Sequence, residues 1–124
     1  MKDLPAASKV VIIGGGMVGI ETAEFLSERG KKVTVVEMLD EIASEIGIVR
    51  KPYMNQCLSD HKVEIFVSTK VERVTEDGVV VSGKESGNEN IGSFDSMVLA
   101  VGAKPRNELA KTLEGRVTQV YVVG

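Results

Sequence analysis

Cysteine is almost absent from this chain of 124 residues, in which Cys57 is the single one. One cysteine excludes an internal disulfide, a Cys-x-x-Cys redox pair and a four-cysteine zinc site. A chain of this length buries roughly two-thirds of the surface that its unfolded form exposes, so a core forms without such cross-links. The cysteine usage fits a reducing compartment and predicts a cytoplasmic protein.

Long apolar runs and clusters of positive charge are absent as well. The apolar run Val10–Ile13, which leads into glycines, is far shorter than the ~20 residues of a membrane-spanning helix. Met1–Pro5 lacks the apolar region of a signal peptide. The 15 Lys and Arg residues form no block and stand against 18 Asp and Glu residues, for a net charge of −3. We therefore expect no membrane segment, no export and no nucleic-acid partner.

The first 37 residues predict a strand, a glycine turn, a helix and a second strand. Lys9–Ile13 is β-branched and apolar, which is typical of a strand buried on both faces of a parallel sheet. A helix is predicted over 17–29, and Gly30 is its expected stop. The residues that share its inward stripe are Gly19, Thr22, Ala23 and Leu26. With a second strand over 32–37, this segment is a βαβ unit with a right-handed crossover.

The segment after residue 47 predicts a second helix and a return to the sheet. Five side chains recur at helical spacing after Pro52, and these are Tyr53, Met54, Cys57, Leu58 and His61. Val63–Val67 is then expected to be a strand of the central sheet.

An antiparallel meander and a last central strand are expected next. The runs over 70–75 and 78–82 alternate apolar and polar residues around a Glu-Asp-Gly turn, which indicates a hairpin. A polar turn over 83–90 should connect it to a third small strand near Ile91–Phe94. Ser96–Val101 is apolar and predicts another central strand, ending at Gly102.

Three glycines, in the spacing Gly14-x-Gly16-x-x-Gly19, lie between the first predicted strand and helix. The first allows a tight turn, the second lets a pyrophosphate approach the backbone, and the third lets the helix pack close to the strand. The helix N-terminus offers N–H groups near Gly16, Met17 and Val18, with the positive end of the helix dipole behind them. Glycine turns also form for purely local reasons, but the strand and helix context favours a bound dinucleotide.

Glu37 ends the second predicted strand, 23 positions after Gly14. A carboxylate at this place accepts hydrogen bonds from both hydroxyls of the adenosine ribose and repels a 2′-phosphate, which favours NAD(H) over NADP(H). The alternative is a surface glutamate at a strand end. Met38 and Leu39 follow in place of an arginine, and their contribution is limited to lining the adenine.

Other polar side chains predict no chemistry. Cys57 lies on an apolar helical stripe and is expected to be a buried packing residue. His61 has no nucleophile or metal-ligand constellation around it and is expected to have a surface or helix-end role. The acidic residues Asp40, Glu41 and Glu45 are spaced like a solvated face. We therefore assign no catalytic residue and no metal ligand to this chain.

Four parts of the chain resemble the pyridine-nucleotide-binding domain of the pyridine nucleotide-disulfide oxidoreductase superfamily. They are Val10–Glu21, Val35–Glu37, the meander and Leu99–Asn107. Within that superfamily, the runs GKKVTVVEML, AVGAKPRNEL and VTQVYVVG look most like NADH:flavin oxidoreductases of the 2-enoate reductase and 2,4-dienoyl-CoA reductase type. The resemblance implies an α/β fold: a Rossmann-like three-layer domain with a central parallel sheet and a three-stranded antiparallel meander.

The resemblance also implies that the chain is part of a larger protein. In such proteins the NAD domain is inserted into an FAD domain, whose first βαβ unit and whose FAD-contacting aspartate are not in residues 1–124. We therefore expect a single NAD(H)-binding domain excised from an FAD-containing oxidoreductase. The apolar run Val120–Val123 supports this expectation, because it is predicted to have no sheet to join.

The partners implied are NADH and the missing FAD domain. In the parent protein NADH would reduce FAD, and electrons would pass through an iron-sulfur cluster to FMN, where an enoate-type double bond is reduced. The domain in hand would hold the nicotinamide against the flavin, while the reaction chemistry belongs to the cofactors.

Residue by residue, the resemblance assigns the three spaced glycines to the pyrophosphate and Glu37 to the ribose. Val18 and Glu21 match positions near the nicotinamide, although Glu21 equally fits an ordinary first-turn carboxylate. Met17 takes a position where many relatives have an aromatic residue that gates the nicotinamide pocket. The expected cofactor-binding residues are Gly14, Gly15, Gly16, Met17, Val18, Gly19, Glu21, Glu37, Met38 and Gly102.

Two other functions remain open at the level of the sequence. One is a regulatory domain that senses NAD(H) and passes a conformational signal to a partner without hydride transfer. The other is an NADH oxidase, peroxidase or disulfide reductase of the same superfamily, although the absence of a Cys-x-x-Cys pair argues against the thioredoxin-reductase-like branch.

Overall fold

The structure is a computed structural model that describes residues 8–42, 51–75, 78–83, 87–100 and 119–122, and these form eight strands and two helices. The strands are β1 (Lys9–Ile13), β2 (Lys32–Val36), β3 (Glu64–Phe66), β4 (Thr69–Thr75), β5 (Gly78–Gly83), β6 (Gly87–Asn90), β7 (Ser96–Leu99) and β8 (Gln119–Val122). The helices are α1 (Met17–Glu28) and α2 (Lys51–Asp60).

The central sheet is parallel throughout and has the order β3-β2-β1-β7-β8. β1 lies in its middle, and Val10, Val11 and Ile12 are completely buried there, as expected of a β-branched strand covered on both faces. β1 and β2 pair from Lys9↔Lys32 to Ile13↔Val36, which confirms the predicted βαβ unit as two parallel strands joined through α1.

Strand β8 corrects one expectation from the sequence. The run near its end was expected to find no sheet to join, yet β8 pairs with β7 in the register Ser96↔Gln119 to Leu99↔Val122. The pairing gives the outer backbone groups of β7 their hydrogen-bond partners. The apolar run is therefore part of the central sheet, and it carries no argument that the domain is a fragment.

Alternate residues of the central sheet face two different layers. On one face, Val10, Ile12 and Val35 pack against α1 and α2. On the other face, Val11 and Met97 pack against the strands β4 and β5. The helices, the parallel sheet and the antiparallel sheet thus form the three-layer α/β architecture that the sequence predicted.

Helix α1 begins after Gly16 and ends at Glu28, close to the predicted bounds. Its buried residues are Gly19, Ile20, Ala23, Leu26 and Ser27. Thr22 of the predicted stripe is only half-buried, because its hydroxyl donates to the carbonyl of Val18 near the helix surface. The last turn is closed by Arg29, whose guanidinium lies 3.5 Å from the ring centre of Phe25.

Helix α2 forms where its spacing predicted, with Pro52 in its first turn, but it is more exposed than that spacing suggested. Met54 and Leu58 of the predicted stripe are buried, whereas Tyr53 is 84% exposed and Cys57 is half-buried. Met54 and Leu58 are one helical turn apart, and these two buried side chains pack this 10-residue helix against the sheet and α1. Neither α1 nor α2 is long and apolar enough to cross a membrane, and these are the helices of the described part of the chain.

The antiparallel sheet confirms the predicted hairpin, but its third strand lies earlier in the chain than predicted. β4 and β5 pair around the expected turn, but the third strand is β6, whereas the segment 91–94 connects β6 to β7. All four residues of β6 are exposed, so no apolar alternation marks the strand in the sequence. Ile91 and Phe94 gave a strand-like pattern because both are apolar side chains that pack against the core, although they belong to the connection between β6 and β7.

Candidate functional site

The three glycines lie at the carboxyl edge of the parallel sheet, between β1 and α1. Gly14 has a φ of +109°, a conformation that favours glycine, and its N–H donates to the carbonyl of Val36 at 2.8 Å. Gly16 is extended and caps α1, since its carbonyl accepts the N–H of Ile20 at 3.0 Å. The turn is thus tied to β2 on one side and starts the helix on the other.

Gly19 lies where helix α1 passes closest to the turn. A Cβ built on it would overlap the carbonyl oxygen of Gly14 and would lie 3.5 Å from the Cβ of Ala100. The obstacle is backbone and not a flexible side chain, so it has little room to move. The absence of a side chain at Gly19 therefore sets the close approach of α1 to the glycine turn, as the spacing predicted.

The N-terminus of α1 offers its backbone donors without a competing side chain. Within the described residues no side chain caps this helix. Its first backbone hydrogen bond runs from the N–H of Ile20 to the carbonyl of Gly16. The amides of Val18 and Gly19 have no acceptor one turn earlier in the helix, and the positive end of the helix dipole lies there. Val18, 43% exposed, marks the open side. This arrangement fits a pyrophosphate group.

Glu37 follows β2 directly and lies half-buried beside the glycine turn. Its Oε1 accepts the N–H of Gly15 at 2.8 Å, and its Oε2 accepts the N–H of Leu39 at 2.7 Å. The backbone of Glu37 is held by β3 as well, because its N–H donates to the carbonyl of Phe66 at 2.8 Å. The carboxylate is thus fixed at one place by two strands and the turn.

The carboxylate of Glu37 keeps capacity for further donors. An ionised carboxyl group has about four acceptor positions, and the amides of Gly15 and Leu39 occupy two of them. The other two match the number of hydroxyls on a ribose. The next four residues are Met38, Leu39, Asp40 and Glu41, so the local sequence adds two carboxylates and no cation for a 2′-phosphate.

Apolar surface is exposed next to the carboxylate. Met38 is 67% exposed and Leu39 is 59% exposed, although both follow a strand that is otherwise buried. Side chains of this kind suit the face of an adenine ring. The segment continues to Glu41, whose carboxylate pairs with the amine of Lys51 at 2.8 Å and ties it to α2.

The other sequence-assigned cofactor residues differ in where they lie. Met17 is half-buried and packs against the core on the helix side, so Val18 is the more exposed of the two side chains at the turn. Glu21 is exposed one turn further along α1. Gly102 falls outside the described residues, and its assignment stays a prediction.

Cys57 and His61 form a small polar cluster on the surface of α2, away from the glycine turn. The thiol of Cys57 donates to the Oε1 of Glu28 at 3.7 Å, and the Nδ1 of His61 is 2.9 Å from the carbonyl oxygen of Cys57. His61 is exposed just beyond the helix end, which confirms its expected place. Cys57 is half-buried and hydrogen-bonded, so the expectation of a buried packing residue is only partly met. No group of three or more His, Cys, Asp or Glu within the described ranges could hold a metal ion.

The surroundings of Cys57 disfavour the thiolate form of its side chain. Burial raises the pKa of its thiol, and the nearby carboxylates of Glu24 and Glu28 raise the pKa further. We expect the rate of alkylation by iodoacetamide to rise with pH around a midpoint above the ordinary thiol value of about 8.5, because the thiolate is the reacting form. Glu28→Gln should lower that midpoint and speed alkylation at pH 8.

A matched control for this measurement is Glu41→Gln, which removes an exposed carboxylate engaged by Lys51. It should leave the alkylation profile of Cys57 unchanged. A wild-type midpoint at or below the ordinary thiol value, or equal effects of the two substitutions, would contradict the role assigned to the carboxylates.

Sequence reasoning missed the backbone partners of Glu37. The amide of Leu39 and the packing of Ile42 near Gly15 complete the carboxylate site, since a Cβ on Gly15 would lie 3.0 Å from Ile42 Cγ2 and from Glu37 Cβ. A backbone amide donates from any residue except proline, so residue identity gives no signal for it. The one sequence feature that points to the Leu39 amide is its position two residues after Glu37, at the end of β2.

The parallel sheet, the glycine turn and the strand-end carboxylate together have the geometry typical of a Rossmann-type α/β domain. Residues 1–122 match the family described as pyridine nucleotide-disulphide oxidoreductase. The chain therefore belongs to this family, as its sequence motifs predicted, and membership implies the use of a pyridine nucleotide and a flavin.

Two curated relatives and one solved structure show the extent of the similarity. The chain is 40% identical over 123 residues to a bilirubin reductase of Mediterraneibacter gnavus, covering 99% of the chain and 19% of that protein. It is 40% identical over 117 residues to an NADH oxidase of Thermoanaerobacter brockii, covering 94% of the chain and 18% of that protein.

Among the solved structures that match is a 2-naphthoyl-CoA reductase solved with 2-naphthoyl-CoA, with a TM-score of 0.75 and 27% identity over 99% of the chain and 19% of that structure. The chain thus spans about a fifth of the length of the relatives it matches.

Proposed function

We propose that the chain is the NADH-binding module of a flavin-dependent oxidoreductase, in which it positions the nicotinamide for hydride transfer to FAD. The observation that carries the proposal is the Glu37 carboxylate, hydrogen-bonded at 2.8 Å to the amide of Gly15 inside the glycine turn. This bond joins the two halves of a dinucleotide site, the pyrophosphate turn and the ribose acceptor, into one surface.

In this proposal each part of the chain binds or orients one part of the nucleotide. The amides at the start of α1 hold the pyrophosphate, and Gly16 leaves room for it, while Gly14 makes the tight turn and Gly19 lets α1 pack close to that turn. Glu37 accepts the ribose hydroxyls, and Met38 lies against the adenine. Val18 and Glu21 are on the side of the nicotinamide. The bound NADH supplies the hydride, and these residues supply its placement.

The longer protein is the subject of a second, wider proposal. We infer that residues 1–124 are a domain of a flavoprotein that reduces an enoate-type double bond, with FAD and with FMN and an iron-sulfur cluster in other domains. The support is the similarity of the runs GKKVTVVEML, AVGAKPRNEL and VTQVYVVG, together with relatives that are named reductases and are about five times as long.

Thermal unfolding with NADH, NADPH and FAD in parallel tests the nucleotide assignment. NADH at about 100 times its Kd should stabilise the chain by about 2.7 kcal/mol, which raises Tm by several degrees. NADPH at the same concentration should give a smaller shift, because its 2′-phosphate meets the carboxylate of Glu37. FAD should give none.

The matched control is Gly16→Val, which places a side chain where the pyrophosphate would lie. This variant should fold and should lose the NADH shift. A shift with FAD alone would assign the glycine turn to the wrong dinucleotide. An NADH shift that persists in Gly16→Val would mean that the ligand binds elsewhere, and no NADH shift in the wild type would contradict the proposal.

A further inference from the structure

A second concave surface lies at the opposite end of strand β2 from Glu37. It has a volume of about 470 Å³, and we call it the basic groove. Its polar and aromatic lining includes Lys9, Lys32, Thr34, Lys62, Glu64 and Phe94. The start of β2 is about 16 Å from Glu37, at 3.3 Å per residue, so the groove is separate from the glycine turn.

The register of the sheet explains why these side chains share one face. Lys9 is paired directly with Lys32, and Thr34 is paired with Glu64 on the next strand. Lys32 and Thr34 alternate with Val33 and Val35, which pack against the helices. These four side chains therefore share the sheet face that carries the antiparallel sheet. The groove continues around the amino end of the strands to Ser27 and Lys31 near the end of α1 and to His61 just after α2.

The walls of the groove are held by backbone hydrogen bonds. Ile91 donates to the carbonyl of Val79 at 2.9 Å, and Asp95 donates to the carbonyl of Lys9 at 2.8 Å, which anchors the connection between β6 and β7 at both ends. On the other side, Lys62 has a φ of +56° and its N–H donates to Ser59 at 3.0 Å. The concave shape is thus built into the fold.

The charge of the lining is opposite to that of the chain. Four lysines, including Lys31, and the single carboxylate of Glu64 give the groove a formal charge of +3 with His61 neutral, on a chain of net charge −3. Among the described residues, the amines of Lys9, Lys32 and Lys62 have no hydrogen-bond or ion-pair partner. The Asp95 carboxylate accepts the backbone amide of Lys9, and within the described residues it forms no ion pair with the Lys9 amine.

Unpaired like charges at directly paired positions of a sheet are unfavourable, and a bound anion removes the repulsion. Lysine is a compact cation that binds phosphate groups as a point charge. Thr34 and Glu64 add a hydroxyl and a carboxylate for the hydroxyl groups of the same ligand, and Phe94 adds an aromatic wall. A volume of 470 Å³ lies within the range of ligand pockets.

We propose that the basic groove binds a phosphate-bearing small molecule, as a second site independent of the nucleotide at the glycine turn. Lys9, Lys32 and Lys62 bind the phosphate, and Glu64 and Thr34 bind the remainder of the ligand. The proposal does not depend on the proposed function, because it uses no residue of the glycine turn or of the Glu37 site.

Titration of the ¹⁵N-labelled chain with inorganic pyrophosphate, followed by amide chemical shifts, tests the site. Saturable shifts are expected at Lys32, Thr34, Lys62 and Gly92. Lys32→Gln and Lys62→Gln should each weaken this binding several-fold, and the double variant by at least tenfold. The matched control is Lys70→Gln, an exposed lysine on β4 outside the groove, which should bind as the wild type does.

The pattern of shifts separates this site from the glycine turn and from diffuse attraction. Shifts confined to Gly14–Gly19, no saturable shift at the groove, or equal weakening in Lys70→Gln would each overturn the proposal. A second titration with AMP distinguishes the sources of the phosphate. Tighter binding of AMP than of pyrophosphate at the groove amides would indicate a nucleotide, and weaker binding would indicate a smaller phosphorylated compound.

Discussion

Gly19→Val is expected to destabilise the domain by about 3 kcal/mol or more and to abolish NADH binding, because overpacking against an unyielding neighbour costs this much. The added Cβ would overlap the carbonyl oxygen of Gly14, so α1 must move away from β1. The movement would displace the amides that face the pyrophosphate. Urea denaturation measures the loss of stability, and the NADH-induced shift in Tm measures the loss of binding.

Thr22→Val provides the matched control on the same helix. It introduces the same β-branched residue at a half-buried position and removes only the hydroxyl bond to Val18. It should cost about 1 kcal/mol, the usual net value of one hydrogen bond, and keep NADH binding. A Gly19→Val variant as stable as Thr22→Val would show that the helix and the turn are not in the contact described.

Glu37→Ala is expected to have the second-largest effect, because the carboxylate both braces the turn and accepts the ribose. The amides of Gly15 and Leu39 would each lose a charged acceptor, at about 1.5–3 kcal/mol for a buried bond. Glu37 is only half-buried, so water replaces part of the lost hydrogen bonding. We therefore expect the free energy of unfolding to fall by about 3 kcal/mol in total. NADH affinity should fall at least tenfold. Denaturation and titration with NADH measure the two effects separately.

Two further substitutions of Glu37 separate its stabilisation of the glycine turn from its binding of the ribose. Glu37→Gln keeps one acceptor oxygen and should lose about half as much stability. Glu37→Arg removes both braces, so affinity for both nucleotides should fall, while the ratio of NADPH to NADH affinity rises. Glu41→Ala, which removes an exposed ion pair with Lys51, should cost about 0–1 kcal/mol and leave NADH binding intact. An unchanged nucleotide ratio in Glu37→Arg would contradict the ribose assignment.

Local patterns predicted the first βαβ unit well because each of its features has a steric cause. The β-branched run of β1 and the required absence of a side chain at Gly19 are both visible as residue types. Glu37 was found in the same way, from its place at a strand end. Its bonds to Gly15 and Leu39 were not found, because backbone amides are chemically alike in every residue.

Errors in the sequence interpretation arose where tertiary contacts override local pattern. Ile91 and Phe94 resemble a strand because they are apolar, yet they reach the core from a connection. β6 has four exposed polar or glycine residues and is a strand only because β5 pairs with it. β8 joins the sheet through pairing with β7, which is a long-range contact that its own apolar run does not specify.

Among the described strands, none pairs with the outer edge of β4 or of β6, and both edges have features that oppose self-association. β6 presents glycine, asparagine and glutamate, all exposed, and so offers no apolar surface to an incoming strand. β4, on the other side, has a register irregularity between Val71 and Arg73, with exposed charges at Glu72 and Arg73. Irregular or charged edges are how natural sheets prevent strand addition and aggregation. Within the described residues, neither edge of this sheet offers a regular apolar strand to a second copy of the chain.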